Sequence, residues 1–384
     1  MEYMSIKSFI FSLRIKVLRL LPIKHSRIVF ICHCGKSYGC NPRYLCEYIN
    51  KTQHEKYELI LLWDFAYGAP PSVSSGIRVV KCFSWEAYRM TATARFVISN
   101  TRIPKAFNFV KRKDQRYIQT WHSSLRLKKI EGDAHLSEDY QAFAKFDSKQ
   151  IDLIISGCGF SSKIFSKAFW YNGKILECGT PRVDWLLSIS DNDKKIIKDK
   201  INLNHNVKHV LYAPTFRTSD NSIVCGLDVD LLTTELAKKF GGEWHLLFRL
   251  HPNLKGCNIH LRGKQASIVD VTDYEDIQEL LAISEVLITD YSSSMFDTLY
   301  SGIKCFLYAP DILEYTGNER ELYFSPKDLP FTLAEDNSQL AQEIQNFDLD
   351  VYNQKVADFL SKIDSFEQGK ASEIILKKII ERTE

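Results

Sequence analysis

Short β-rich runs alternate with helix-length segments along most of this 384-residue chain. Such runs are typical of strands, and apolar ones such as Ile151–Ser156 suit a parallel sheet that is buried on both faces. The alternation therefore predicts an α/β fold with parallel sheets. The predicted strands form two groups, Arg27–Cys32, Tyr57–Trp63, Ile77–Lys81, Arg95–Ser99, Tyr117–Trp121, Ile151–Ser156 and Lys174–Cys178, then His209–Ala213, Trp244–Leu250, Ser267–Val271, Glu285–Thr289 and Lys304–Tyr308.

The polar, charge-rich stretch Ser188–Asn206 separates the two groups. A chain of this length also exceeds the usual size of a single hydrophobic core, which favours two domains. We therefore predict four parts: an arm at residues 1–25, α/β domains at residues 26–190 and 206–347, and a helical segment at residues 348–384.

The arm is basic and amphipathic. Residues 1–27 carry six Lys or Arg and one acidic residue, and their net charge therefore exceeds the net charge of +3 of the whole chain. Its apolar residues recur at helical spacing up to Pro22. We expect a helix that either lies on an anionic membrane surface or packs on the protein's own second domain. The apolar residues are Ile6, Phe9, Ile10, Leu13, Val17, Leu20 and Leu21.

Several classes of protein are disfavoured by composition. The chain has neither a run of about 20 apolar residues nor a signal peptide, so we predict a peripheral protein on the cytoplasmic face of the membrane. Outside the arm the charge is slightly negative, which argues against a nucleic-acid binder. The ten cysteines form no C-x-x-C pair, so we predict reduced thiols and no metal site.

Polar side chains follow three strands of the second group. Ligands of open α/β sheets bind beyond the carboxyl ends of the strands, where helix N-termini offer amides to anions. We interpret these segments as a phosphate site in which Asp290 or Ser292 caps the following helix. The alternative is an ordinary cap with a structural histidine. The candidates are Thr215, Arg217, Arg249, His251, Asp290, Ser292 and Ser293.

In the first group, His122 follows a strand and lies in a basic stretch. Thr101–Lys129 contains nine Lys or Arg and one acid. This is either a solvated face or a surface for a phosphate-bearing acceptor, with Lys128 as a candidate contact. Histidine has a pKa near neutrality, so His122 is a candidate general base. Arg182 lies in a glycine-containing loop, Gly179–Asp184, that follows the last strand of this group.

Five ordered motifs carry a family resemblance: Gln-Thr-Trp-His at 119–122, Gly-Thr-Pro-Arg-Val-Asp at 179–184, Tyr-Ala-Pro-Thr-Phe-Arg at 212–217, Arg-Leu-His-Pro at 249–252 and Ile-Thr-Asp-Tyr-Ser-Ser at 288–293. Together they resemble the CDP-glycerol glycerophosphotransferases of teichoic acid and capsule synthesis, over roughly residues 26–345. The resemblance implies a GT-B-like fold, with two Rossmann-like domains whose parallel sheets face across a cleft.

The resemblance also implies the reaction. Glycerol phosphate would pass from CDP-glycerol, or ribitol phosphate from CDP-ribitol, to a hydroxyl of a lipid-linked saccharide or capsular acceptor, and CMP would leave. His122 would be the base and His251 would assist at the phosphates. Asp297 joins the candidate donor contacts by this resemblance, and no cofactor or metal is expected.

Two departures from the family pattern leave the acceptor open: Ser123 follows the Trp-His pair, and Glu321 follows Arg320. Two other functions also remain open. One is a GT-B glycosyltransferase that uses a nucleotide sugar, and the other is a membrane-bound scaffold without catalysis.

Overall fold

The computed structural model describes residues 14–217, 226–250, 261, 263–315 and 321–381. Two parallel sheets organise these residues. The strands of the first are β1 (Lys24–Ile31), β2 (Glu58–Trp63), β3 (Ile77–Lys81), β4 (Ala94–Ser99), β5 (Arg116–Gln119), β6 (Leu153–Ser156) and β7 (Lys174–Glu177). Those of the second are β8 (Lys208–Tyr212), β9 (Trp244–Phe248), β10 (Ile268–Asp270), β11 (Val286–Thr289), β12 (Lys304–Tyr308) and β13 (Thr332–Ala334).

The six strands of the second sheet follow the same order as the first six strands of the seven-stranded sheet. The first runs β3-β2-β1-β4-β5-β6-β7 and the second β10-β9-β8-β11-β12-β13. Every pairing within them is parallel. The order reverses at β1/β4 and at β8/β11, and such switch points are where Rossmann-like sheets bind ligands. The predicted fold of two Rossmann-like α/β domains is confirmed.

Helices connect the strands. They are α1 (Cys40–Gln53), α2 (Trp85–Thr93), α3 (Glu138–Ser148), α4 (Gly159–Ala168), α5 (Pro181–Ser188), α6 (Asp191–Lys200), α7 (Val229–Phe240), α8 (Ile277–Ala282), α9 (Met295–Ser301), α10 (Ile312–Glu314), α11 (Asn337–Gln345), α12 (Leu349–Lys362) and α13 (Ala371–Ile375), the last continued by a π-helical turn, Leu376–Ile380. Side-chain caps begin many of them. Ser190, for example, forms a capping box with Asp193 at the start of α6.

The chain divides into two compact units that exchange segments. Of the described residues, the first unit takes those within Met1–His122, His135–Trp185 and Phe366–Glu384, and the second takes Ser123–Ala134 and Leu186–Ser365. From the sequence we expected one division near residue 190. That expectation included neither Ser123–Ala134, which belongs to the second unit, nor Phe366–Glu384, which belongs to the first. A polar linker marks where a chain leaves a domain, whereas the exchanged segments are held by tertiary contacts that the sequence does not display.

The returning segment completes the core of the first unit. Ile375 and Ile380 are fully buried in one cluster with Ile28 and Phe30 of β1 and Leu45 of α1. Truncating a buried isoleucine of this kind to alanine costs about 2–5 kcal/mol. The last helices are therefore integral to the first unit.

The first 13 residues of the arm lie outside the described residues, and its last part is helical over residues 14–18. The arm then packs on the first unit. The Arg19 guanidinium donates to the Val110 carbonyl over 2.9 Å, and the Arg112 guanidinium donates to the Leu21 carbonyl over 2.8 Å. These contacts lie on the first unit and not on the second domain, where we had placed the alternative.

Candidate active site

His122 lies just beyond the carboxyl end of β5, and a backbone carbonyl orients its ring. The Nδ1 atom is 3.0 Å from the carbonyl oxygen of Asn100, which follows β4. A carbonyl only accepts hydrogen bonds, so Nδ1 carries the proton and the lone pair is on Nε2. The imidazole is half-buried, and its Nε2 atom has the electronic state that a general base needs.

The turn that presents His122 is unusual. Trp121 has a left-handed backbone with φ of 49°, which is uncommon for a bulky residue. Its indole stacks on the His122 imidazole, with ring centroids 4.5 Å apart. The amide of Asn41, a fully buried residue, donates to the carbonyls of Thr120 and Trp121, both over 3.1 Å. Such backbone strain persists only where neighbours enforce it, and it clusters at functional sites.

Arg182 supports the same turn. Its guanidinium donates to the His122 carbonyl over 2.5 Å, and its backbone amide donates to Asn41 Oδ1 over 3.2 Å. Only 6% of the residue is exposed. In the structure Arg182 thus contacts the backbone of His122 and the side chain of Asn41. A direct contact of Arg182 with substrate stays a prediction.

The rest of the Gly179–Asp184 motif holds the returning segment. Thr180 donates from its amide and its hydroxyl to the Glu367 carboxylate over 2.8 and 2.7 Å. The Asp184 carboxylate accepts from the amides of Ala371 and Ser372 over 3.0 and 2.7 Å, at the start of α13. This motif, which the sequence predicts as a glycine-containing loop after the last strand, therefore joins α13 to the rest of the first unit.

Two residues at this site were not predicted, Asn100 and His33. Asn100 is fully buried at the end of β4, and His33 follows β1. Asn100 Oδ1 accepts from the His33 amide over 2.7 Å, and its Nδ2 is 3.0 Å from His33 Nε2. Both residues follow predicted strands, so the strand-end rule that selected His122 applies to them as well.

In the second unit, the loop after β11 is anchored by Asp290. Its carboxylate accepts from the Thr215 amide over 2.9 Å and pairs with the Arg217 guanidinium over 2.8 Å. Arg217 also pairs with Asp311 over 2.6 Å. All three charged groups are at least 91% buried. Arg217 and Asp290 therefore bind each other, and a contact of either with the donor stays a prediction.

Tyrosines enclose this ion-pair cluster. The rings of Tyr291 and Tyr315 stack with centroids 3.7 Å apart, and Arg217 lies 4.9 and 5.0 Å from them. Although burial lowers the pKa of Arg217, its hydrogen bond to Asp311 and the charge of Asp290 raise that pKa above its usual value. The ammonium group of Lys128 lies 5.5 Å from the Tyr315 ring.

The serines after Asp290 precede α9. Ser292 and Ser293 are half-buried, and the hydroxyl oxygens of Ser292 and Ser294 are 2.8 Å apart. The N-cap position of α9 is Ser294, whose side chain makes no capping hydrogen bond, so the predicted cap at Asp290 or Ser292 is not at the helix start. The Asp290 carboxylate is used by Thr215 and Arg217 instead. Asp297 is buried and accepts from the Gln278 amide over 2.9 Å.

Arg249 differs from Arg217. Its Nε has no hydrogen-bond acceptor among the described residues, and its Nη2 makes only 3.5 Å contacts with the carbonyls of Tyr274 and Glu275. Burial lowers the pKa of this guanidinium, while Asp276 raises it. Thr215 Oγ1 is likewise buried without a partner in the described part of the chain. His251, the second predicted catalytic residue, lies outside the described residues.

Within the described ranges, no three His, Cys, Asp or Glu side chains come together as a metal site would require. No helix in the same ranges has the length and apolar character needed to cross a membrane.

These observations define a protein with two Rossmann-like domains, with a candidate base at one switch point and, near the other, a half-buried guanidinium whose buried Nε has no acceptor among the described residues. The model of the CDP-Glycerol:Poly(glycerophosphate) glycerophosphotransferase family matches residues 13–381. The chain belongs to this family, which confirms the family and the enzyme class predicted from the five motifs.

Similar proteins from other bacteria agree with this family assignment. The chain is 30% identical to the teichoic acid poly(glycerol phosphate) polymerase of Bacillus spizizenii, over 99% of this chain and 98% of that protein. It is 32% identical to the teichoic acid glycerol-phosphate transferase of Staphylococcus aureus, over 95% of each. It is also 32% identical to the polymerase of Staphylococcus epidermidis, of which it spans 50%.

The solved structure of the wall teichoic acid polymerase TagF is similar over 98% of this chain and 96% of that one, with a TM-score of 0.83 and 29% identity. A TagF variant soaked with CDPG matches with the same TM-score at 30% identity. A UDP-GlcNAc 2-epimerase from Neisseria meningitidis shares the fold, with a TM-score of 0.50 and 14% identity.

Proposed function

We propose that this protein transfers glycerol phosphate from CDP-glycerol to a hydroxyl of a lipid-linked or polysaccharide acceptor in teichoic acid or capsular polymer synthesis. The observation that carries the proposal is the fixed His122 imidazole, whose Nε2 lone pair is set by the Asn100 carbonyl. The family and the similarity to TagF support the donor and the reaction.

The acceptor hydroxyl attacks the β-phosphorus of CDP-glycerol. A new oxygen–phosphorus bond forms, the bond from that phosphorus to the bridging oxygen breaks, and CMP leaves with that oxygen. The hydroxyl proton passes to His122 Nε2. Phosphoryl transfer is catalysed mainly by positioning and by charge stabilisation, so the second requirement is a cation at the diphosphate.

Arg249 is our candidate for that cation. Arg249 is half-buried, and its Nε is buried without an acceptor in the described part of the chain. A guanidinium removed from water in this way without a carboxylate partner is costly, and an anionic ligand removes that cost. Among the described residues Arg249 makes no ion pair, whereas Arg217 makes two. Thr215 Oγ1, buried and without a partner, can donate to the same phosphates. His251, Ser292, Ser293 and Asp297 remain candidates for donor binding, and Lys128 remains a candidate contact of the acceptor.

Glycerol is favoured over ribitol by the relatives. Identity is 30–32% to the glycerol-phosphate enzymes cited above, and 24% and 26% to a poly(ribitol-phosphate) polymerase and a ribitol-phosphate primase of Bacillus spizizenii. The alternative function of a nucleotide-sugar transferase is supported only by the likeness of the fold to that of the epimerase. A scaffold without catalysis would not need a histidine held in one tautomer.

The test is CMP release by purified protein from CDP-glycerol, CDP-ribitol or UDP-sugars, each with and without a lipid-linked acceptor. We expect CMP from CDP-glycerol only when acceptor is present. Arg249→Met should raise the KM for CDP-glycerol more than Arg78→Met, which alters an exposed arginine paired with Glu86. Release of UDP would overturn the reaction class, and silence with every donor would favour the scaffold.

We further propose that the protein is peripheral at the cytoplasmic face of the membrane. Leu20 of the arm is 82% exposed, and Arg14 lies 5.4 Å from the ring of Trp85, itself 43% exposed. Exposed apolar and aromatic side chains beside basic ones suit an anionic lipid surface. Leu20→Glu should reduce sedimentation with phosphatidylglycerol vesicles, whereas Leu313→Glu, at an equally exposed position of the second unit, should not. Equal sedimentation of both variants would contradict this placement.

A further inference from the structure

Asn100 lies between two histidines at the switch point of the first sheet. Its carbonyl oxygen is 3.0 Å from His122 Nδ1, and its side chain makes two contacts with His33. The ring centroids of His33 and His122 are 6.3 Å apart. His33 follows β1, Asn100 follows β4 and His122 follows β5, so three strand ends meet in one small network.

The hydrogen-bond roles in this network can be assigned from the donors. The His33 amide is a donor, so the Asn100 atom it meets at 2.7 Å is the carbonyl oxygen Oδ1. Asn100 Nδ2 is then the donor that faces His33 Nε2 at 3.0 Å. His33 Nε2 must accept, which leaves the proton of the neutral ring on Nδ1. Both histidines are therefore held as the Nδ1–H tautomer through one asparagine.

The backbone around His33 is shaped for this contact. His33 and Cys34 both have left-handed conformations, with φ of 45° and 61°. Histidine and asparagine are among the few non-glycine residues enriched in that region, although it remains strained. The turn brings both the amide and the ring of His33 to the same asparagine, so the Asn100 side chain is held at both of its polar ends.

We propose that His33 is a positioning residue that acts through Asn100 to keep the Asn100 carbonyl on His122 Nδ1, and so keeps Nε2 of His122 as the base. This proposal rests on the proposed function, because it assigns a role in setting the state of the same base. The His33 ring does not touch the reacting atoms. Its loss frees one end of the Asn100 side chain and loosens the carbonyl that selects the tautomer of His122.

Two substitutions separate the contact from the volume of the side chain. His33→Leu keeps much of the volume and removes the acceptor, so kcat should fall about tenfold, the size expected for one neutral hydrogen bond, while the KM for CDP-glycerol stays unchanged. His33→Gln offers Oε1 to Asn100 Nδ2 and should restore most of kcat. His54→Leu, at an exposed histidine, should change neither constant.

A second measurement does not depend on turnover. In the full chain with ¹⁵N-labelled histidine rings, at about pH 8.5 where histidines are neutral, His33 and His122 should both show the Nδ1–H tautomer. In His33→Leu, the His122 signals, identified by their loss in His122→Ala, should move toward a mixture of tautomers. Finding the proton of either ring on Nε2 in the unsubstituted protein would overturn the proposal even if His33→Leu failed to fold.

The outcomes distinguish this inference from the proposed function. If His122→Ala keeps full turnover, His122 is not the base and the proposed function fails. The ¹⁵N ring signals would still show whether both histidines are the Nδ1–H tautomer. If His122→Ala is inactive but His33→Leu has unchanged kcat and unchanged ring signals, only the role of His33 fails.

Discussion

The two sheets share a strand order but stabilise their switch points with different chemistry. At β1/β4, single hydrogen bonds hold the site: Asn100 bonds to His33 and His122, Asn41 bonds to the Trp121 turn, and the Arg182 guanidinium donates to the His122 carbonyl. At β8/β11, ions hold it, because Arg217 pairs with both Asp290 and Asp311. In the proposed function His122 must keep a lone pair on Nε2, which a carbonyl acceptor at Nδ1 provides, whereas a loop proposed to position a phosphate can be anchored by buried ion pairs. One topology thus accommodates both requirements.

The largest effect should come from the base itself. His122→Ala should lower kcat by about 10³-fold, within the usual range for general base catalysis, while CDP-glycerol affinity stays within a few fold. Single-turnover CMP release and calorimetric titration of CDP-glycerol would measure the two quantities. An equal loss of both would mean that the first switch point binds donor, and the contrast drawn between the two sites would not hold.

Arg217→Ala tests the ionic site. It leaves two buried carboxylates unpaired and should lower the free energy of unfolding by about 3–5 kcal/mol. Arg78→Ala removes an ion pair that is about half exposed and should cost less than about 1 kcal/mol. Denaturant unfolding of both variants provides the comparison. Similar small losses would show that the buried ions do not stabilise the loop.

A buried histidine in the second sheet sharpens the contrast with His122. Both ring nitrogens of His209 on β8 have no partner in the described part of the chain, and burial lowers its pKa to about 4. The unfolded chain, with a pKa of about 6.5, binds this proton first as the pH falls. Stability should therefore drop by about 2–3 kcal/mol between pH 6.5 and 4. His209→Leu should show a smaller drop in melting temperature over that range, and an identical drop would contradict the assignment.

Asn41→Ala should give the smallest effect of the four. It removes two hydrogen bonds to the Trp121 turn and one from the Arg182 amide, at a cost of about 1–2 kcal/mol in the free energy of unfolding. The turn would relax from its left-handed conformation, so kcat should fall while donor affinity holds. Unchanged kcat would show that the strained turn is not needed to place His122.

Much of the fold followed from the sequence, because periodic apolar runs report burial directly. All the predicted runs overlap a strand of the structure. The missed strand, β13, has only three residues, Thr332–Ala334, too few for a periodic signal. The exchanged segments were also missed, since the contacts of Asp184 with Ala371 join residues 187 positions apart.

The positions of the candidate residues were predicted in part, while their roles stay predictions. His122, Arg249, Thr215 and Asp290 do lie at or just beyond strand ends, as expected. Their partners could not be foreseen, because Arg217 meets Asp311 across 94 positions and Asn100 meets His33 across 67. Such pairs depend on strand order, which residue types at strand ends do not reveal. Arg217 shows the limit most clearly: its ion pairs with Asp290 and Asp311 could not be foreseen from its residue type, and its contact with the donor stays a prediction.

Because the first unit includes the C-terminal segment, its residues are not synthesised in one continuous stretch. The seven strands of the first sheet emerge before any strand of the second. Ile375 and Ile380, which fill the core of the first unit, are synthesised after the second sheet is complete. Domains generally fold as units during synthesis, starting from the N-terminal one. In this chain the domain whose strands are synthesised first is completed last. Part of its hydrophobic core stays uncovered while more than half of the protein is translated.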